Sequence, residues 1–215
     1  MTVTRREIKI QVTKGRMLDN HIGLVRIDNF NDNCSEETLA VIEELRSQGA
    51  EKLIFDVRNN LGGYKRELVK VLDYLLPEGP LFRTEDENGK QTVENSDAKF
   101  LDMDMAVLVN GDSYSAAEFF AAALSEYEAA IVVGEQTCGK GYYQKIFALP
   151  DGSAVNLSIG KYYTPNGKSL AGVGITPAVV VPVDQKTAEA IYAETLEPAD
   201  DPQIQAAVKA LLSTN

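Results

Sequence analysis

Apolar and polar positions alternate with a period of two at the start of the chain, where Ile8, Ile10 and Val12 interleave with Lys9 and Gln11. That pattern predicts a half-buried strand over Glu7 to Thr13. Ile22 to Phe30 predicts a second strand. From Ser35 the period becomes helical: Leu39, Ile42 and Leu45 share a face, Ser35 offers a cap, Glu36 and Glu37 occupy the first turn, and Gly49 ends the run. Lys52 to Val57 is apolar enough for a central strand. Beyond Gly62-Gly63, a stripe of Leu68, Val71, Leu72 and Leu75 predicts a second helix.

Pro77-Glu-Gly-Pro80 breaks that helix, and the polar stretch Leu81 to Lys99, with a turn at Glu87-Asn-Gly-Lys90, predicts a flap of two short strands. A buried strand at Met105 to Asn110, an Ala-rich helix at Ser115 to Tyr127 and a strand at Ala130 to Gly134 follow. Strands at Tyr143 to Leu149 and Ala154 to Lys161 are joined through Pro150-Asp-Gly-Ser153. A late strand at Val179 to Val183 and helices at Ala188 to Glu194 and Gln203 to Leu212 complete the chain. Strands alternating with helices imply an α/β sheet with crossover helices.

The 215 residues are long enough to bury roughly 70% of the unfolded surface in one large domain. With 21 basic and 32 acidic residues the formal charge is −11, and no Lys/Arg cluster interleaves with aromatics, so nucleic acid is a poor partner. No run approaches the roughly 18 to 20 apolar residues of a membrane span, and no signal-peptide pattern opens the sequence; a soluble chain is expected. Cys34, in an acidic loop, and Cys138 read as two free thiols rather than as a disulfide. No Cys/His cluster suggests a metal, and no motif calls for a cofactor.

Two segments carry the candidate chemistry. In Val107 to Glu118, a buried strand ends at Asn110-Gly-Asp112 and a helix begins, which places Ser115 at a strand-to-helix turn beside the first free amides of the helix. In Gly134 to Gln144, Lys140 stands between Gly139 and Gly141, 25 residues after Ser115. A serine hydroxyl is a weak nucleophile until a base takes its proton. A lysine does so only as the neutral amine, against an ordinary pKa of about 10.4, and burial favours the neutral form. A Gly-Lys-Gly in isolation also fits a plain surface turn.

These segments resemble the carboxyl-terminal processing proteases, the tail-specific serine peptidases with a serine-lysine dyad. So do Asp56-Val-Arg58-Asn-Asn-Leu-Gly62-Gly63, Tyr162-Tyr-Thr-Pro165 and Gly174-Ile-Thr-Pro177, in the family's order. The resemblance implies an α/β fold of the crotonase/Clp-protease-like kind, a spiral of β-β-α units with a small strand-rich flap and C-terminal helices. It makes Ser115 the nucleophile, Ser113 a non-catalytic serine, Lys140 the base and Gln144 the residue that orients the lysine amine. The oxyanion hole would combine the N–H of Ala116 with one from Gly62-Gly63, with Asp56 and Arg58 bracing that loop. Glu118 would cap its helix or pair with a cation. The implied substrates are proteins or peptides with unstructured C-terminal tails, cleaved outside the cytoplasm, and a homo-oligomer is compatible with the family. Thr2 to Arg5 resembles the exit strand of a PDZ domain. The implied division is residues 1–13 as a PDZ remnant and linking strand, 14–184 as the peptidase core, and 185–215 as a C-terminal helical segment. One departure stands out: the family's aspartate after Gly-Ile-Thr-Pro is Ala178 here, which puts its bracing role in doubt.

Other readings compete. Gly134 to Lys140 approaches a phosphate-binding loop, but position 141 is Gly where Ser or Thr should hold magnesium, and a strand is expected next where such a loop opens a helix. His21, the single histidine, would offer a serine-histidine system, although Asn20-His21-Ile22-Gly23 reads as a solvated turn. Cys138 as a nucleophile would need that same histidine. A non-catalytic peptide- or ligand-binding module of the same fold is the remaining alternative.

Overall fold

The computed structural model describes residues 10–213. Its centre is a six-stranded sheet in the order β1-β2-β3-β6-β7-β10, formed by β1 (Thr13–Met17), β2 (Ile22–Ile27), β3 (Lys52–Asp56), β6 (Asp104–Val109), β7 (Ala130–Gly134) and β10 (Val179–Val180). From β2 to β10 every neighbouring pair is parallel; β1 alone runs antiparallel, with Thr13 opposite Ile27 and Met17 opposite Gly23.

The near-continuous apolar runs of β3 and β6 follow from burial on both faces. Leu53 and Phe55 of β3, with Met105, Val107 and Val109 of β6, point towards α1 (Cys34–Ser47), α2 (Lys65–Leu75) and α3 (Ala116–Glu126). Ile54, Ala106 and Leu108 point to the other face. There α5 (Pro202–Ser213) covers them with Ile204, Ala207 and Leu211, so the segment beyond residue 185 supplies one wall of the core. Before it, α4 (Gln185–Tyr192) starts at Asp184, whose carboxylate accepts the Thr187 N–H.

A second, antiparallel sheet in the order β5-β4-β9-β8 joins β4 (Gly79–Asp86) and β5 (Gln91–Ser96) to β8 (Tyr142–Ala148) and β9 (Ala154–Tyr163). The expected flap is therefore half of a larger sheet. The other half is a long hairpin whose Ile146 and Leu157 stand exposed.

Three expectations need correction. The strand expected over Glu7 to Thr13 is displaced: Glu7 to Lys9 lie outside the described residues, Ile10 is exposed and outside any strand, and pairing begins at Thr13. The β1 sequence Thr-Lys-Gly-Arg-Met hides its amphipathic pattern because its inward position, Gly15, contributes no side chain; Val41 and Leu45 of α1 fill the space above it. Ser35 is not the cap of α1. Asn33 takes that position at φ 70°, and Ser35 donates both its N–H and its hydroxyl to Glu67 Oε2 of α2, at 3.0 and 2.7 Å. A carboxylate from a neighbouring helix thus satisfies the helix N-terminus. Cys34, expected in an acidic loop, is the buried first residue of the same helix; burial pushes its thiol up to about 11. Both cysteines are free.

Among the described residues, no helix is long and apolar enough to cross a membrane.

Candidate active site

The loops that follow the C-terminal ends of the parallel strands converge, as ligand-binding loops do in open α/β sheets. The segment after β6 places Ser115 at the first corner of α3 with φ 54° and ψ −114°. A non-glycine residue there stores about 1–3 kcal/mol of strain, which the surroundings must hold in place. Several bonds do so. Ser113 is fully buried; its hydroxyl donates to Val57 O at 2.8 Å and accepts the Asn110 N–H at 3.0 Å. Tyr114 donates its N–H to Asn60 O at 2.9 Å. Ser113 therefore ties the turn to the loop after β3, while Ser115 faces a cavity.

That loop carries Gly62, at φ 93°, so close to the turn that an added Cβ would lie 2.9 Å from Ser115 Cβ and 3.2 Å from Ala116 N. Its own N–H goes to Asn60 Oδ1 at 2.8 Å. Of the glycine pair it is Gly63, like Ala116, whose N–H meets no acceptor among the described residues. The loop is anchored from below by Asp56 and Arg58. Arg58 binds both Asp56 oxygens, at 2.9 and 2.7 Å, and reaches Asp201 at 2.8 Å, just before α5, and Gln203 at 2.9 Å in its first turn. Burial opposes ionisation of Asp56, but the adjoining Arg58 guanidinium outweighs it and holds the carboxyl below its ordinary range.

Lys140 lies on the loop between β7 and β8. Gly139 and Gly141 lie so close to the Ala171–Gly174 segment that an added Cβ would come within 2.8 Å of Val173 N or 2.6 Å of Ala171 N. Thr137 and Ile175 exchange bonds across the same contact, and Gln136 bonds Val173 O and Thr176. The two segments are thus held together by main chain and by the Thr137 and Gln136 side chains. Lys140 leads directly into strand β8, so the phosphate-loop reading lacks the helix N-terminus it requires.

Glu118 links the two segments. Fully buried on α3, its carboxylate accepts the N–H groups of Ser115 at 2.9 Å, Gly139 at 2.7 Å and Lys140 at 2.9 Å, together with the Thr137 hydroxyl at 2.6 Å. It meets no cation among the described residues, so of its two expected roles the capping one is present, extended to a second loop. The sequence signal for this was the position three after Ser115, the spacing of a carboxylate that reaches back to its cap.

One cavity of about 570 Å³ is lined by Gly63, Ser115, Ala116, Lys140, Gln144 and Tyr162, with Phe82 and Phe119 among its apolar walls. Two details within it were not foreseen. Ser115 Oγ lies 2.7 Å from the Tyr162 hydroxyl. The Gln144 side-chain oxygen accepts from Asn156 at 3.4 Å rather than from Lys140, and the Lys140 amine makes no hydrogen bond or ion pair among the described residues. His21 sits elsewhere, exposed, with Nδ1 3.1 Å from Gly49 O. It precedes the N-terminal end of β2, whereas Ser115 lies beyond the C-terminal end of β6, so the length of the sheet, about 16 Å, separates them. A serine-histidine pair is excluded.

A strained serine at a strand-to-helix turn, over a parallel sheet, with a lysine loop bound to it through a shared carboxylate, is an arrangement compatible with a serine-type peptidase. Relatives agree. The chain is 34% identical over 216 residues to a carboxyl-terminal-processing protease of Synechocystis, covering 98% of this chain and 49% of that protein. It is 32% identical to the carboxy-terminal processing protease CtpA of Bacillus subtilis, covering 83% and 39%. Among solved structures, a photosystem II D1 C-terminal processing protease superposes with a TM-score of 0.73 at 27% identity, over 94% of this chain and 56% of that one. Residues 21–181 match Peptidase family S41, and the chain belongs to that family. It spans about half or less of the length of these curated relatives.

Proposed function

We propose that this chain is the catalytic core of a carboxyl-terminal-processing endopeptidase in which Ser115 is the nucleophile and Lys140 its general base. Lys140 Nζ takes the proton from Ser115 Oγ as the Oγ–carbon bond to the scissile carbonyl forms. The Gly63 and Ala116 N–H groups receive the oxyanion. Collapse of the tetrahedral intermediate breaks the carbon–nitrogen bond, and the departing amine takes the proton from Lys140. A water then attacks the acyl ester, giving its proton to Lys140, and the second collapse returns that proton to Ser115 Oγ and releases the carboxylic product. Gln144 orients the lysine amine once substrate fills the cavity.

The observation that carries this reading is the shared Glu118 carboxylate, which accepts the main-chain N–H of both Ser115 and Lys140 and so fixes one reactive residue's backbone against the other's. Extending the relatives' names to this chain, the reaction is the trimming of a protein's carboxyl terminus; unstructured C-terminal tails as substrates and processing outside the cytoplasm are what the family resemblance implies. An activated peptide ester tests the chemistry. Intact mass should report one acyl group per chain, mapped to the peptide containing Ser115 and absent from Ser115→Ala. An adduct on another residue, or no adduct at all, would refute the assignment and favour a non-catalytic binding module.

A further inference from the structure

Tyr162 entered the sequence reading only as part of a matching run, yet it is the residue that touches the candidate nucleophile. Its ring is almost fully enclosed at 7% exposure. Phe119 packs edge-on at 4.7 Å between centroids, Phe82 lies tilted at 5.4 Å, and Tyr143 stacks at 6.1 Å. Its backbone is fixed to the base loop, since the Tyr162 N–H donates to Gly141 O at 3.1 Å, one residue beyond Lys140. Ring and main chain therefore leave the hydroxyl little freedom, and its partner is Ser115 Oγ at 2.7 Å. A buried tyrosine hydroxyl needs a partner, and this one has chosen the reactive oxygen of the site.

We propose that Tyr162 is a further catalytic residue, whose phenol donates to Ser115 Oγ and sets the orientation of the nucleophile; the inference rests on the Ser115–Lys140 reading above. A serine oxygen has one proton and two lone pairs. With one lone pair engaged by Tyr162, the other faces the substrate carbonyl and the proton turns to the lysine, so a single contact selects the attacking rotamer. The same donor stabilises the negative charge that gathers on Oγ as its proton leaves. Burial pushes the Tyr162 phenol up, so at neutral pH it carries the proton that this donation requires.

Tyr162→Phe removes one oxygen and leaves the three ring contacts in place, so the fold should survive, with an unchanged thermal midpoint. The expected result is a fall in kcat of roughly 10- to 100-fold with KM little changed, and an equal fall in the rate of Ser115 labelling by a fluorophosphonate, the scale of losing one hydrogen bond to a charged group. Tyr163→Phe, which alters the neighbouring ring outside the cavity, should behave as the unaltered protein. Unchanged kcat and labelling in Tyr162→Phe would overturn the proposal, and faster labelling would mean that the hydroxyl restrains the serine instead. If Ser115→Ala itself hydrolyses peptide normally, it is the underlying serine-lysine reading that has failed.

Discussion

Ser115 and Lys140 reach the same cavity by opposite means. The serine is held at every point: its backbone sits in a strained conformation, its N–H is bound by Glu118 and its hydroxyl meets Tyr162. The lysine is held only at the main chain, where Glu118 binds its N–H while its amine makes no bond among the described residues and Gln144 turns to Asn156. Where a nucleophile must be presented at a fixed angle, strain and burial do the work. The backbone of the site is thus fixed from both segments through one carboxylate.

The largest expected effect comes from deleting either end of this pair. Ser115→Ala should lower peptide hydrolysis by about four to six orders of magnitude, measured as kcat, with the fold retained. Next is Glu118→Gln, which nearly keeps the volume but replaces one acceptor oxygen with a donor facing buried N–H groups. It should cost about 1–3 kcal/mol for each donor left unsatisfied, seen in urea unfolding, and lower kcat by about 10²- to 10³-fold by loosening both segments together. A variant that lost stability but kept its turnover would show that the two loops hold their places without the shared carboxylate.

The Asp56–Arg58 pair beneath the glycine loop gives a smaller effect that depends on pH. Arg58→Met leaves a buried carboxylate with its main partner gone and should destabilise the fold by about 3–5 kcal/mol. In the unaltered protein, Asp56 titrates below its ordinary range when folded. Its contribution is therefore complete above the unfolded value of about 3.9 and is lost as pH falls through the lower folded value. Urea midpoints between pH 6 and pH 2 should drop in the acidic part of that range, and the drop should be weaker in Arg58→Met. Smallest of all is His21→Ala, which should leave the pH dependence of kcat/KM unchanged, as its distance from Ser115 requires; loss of a titrating limb in that variant would reinstate the histidine.

Much of the sheet was legible because β3 and β6 are buried on both faces and their apolar runs are long and uninterrupted. β1 was not, since Gly15 stands where an apolar side chain would have marked the inward face. Ser115 and Lys140 stood out through the resemblance of their two segments to a family pattern, and the structure brings both to one cavity. The Ser115–Tyr162 contact was not, because it depends on the hairpin of β8 and β9 folding back beside α3, a long-range arrangement that local pattern does not encode. The capping role of Glu118 was foreseeable from its position three residues into the turn, but its hold on the lysine loop arises only when β7 brings residues 137–140 alongside.

The most direct test of the serine-lysine account is the labelling of the protein by a fluorophosphonate, followed by intact mass and peptide mapping, in the unaltered chain and in Lys140→Arg. Arginine keeps the positive charge but does not give up its proton at working pH. The account predicts one label per chain on Ser115 in the unaltered protein and none in Lys140→Arg over the same time, with Ser113→Ala labelled normally. Equal labelling of Lys140→Arg, or a label that moves with Ser113, would contradict it.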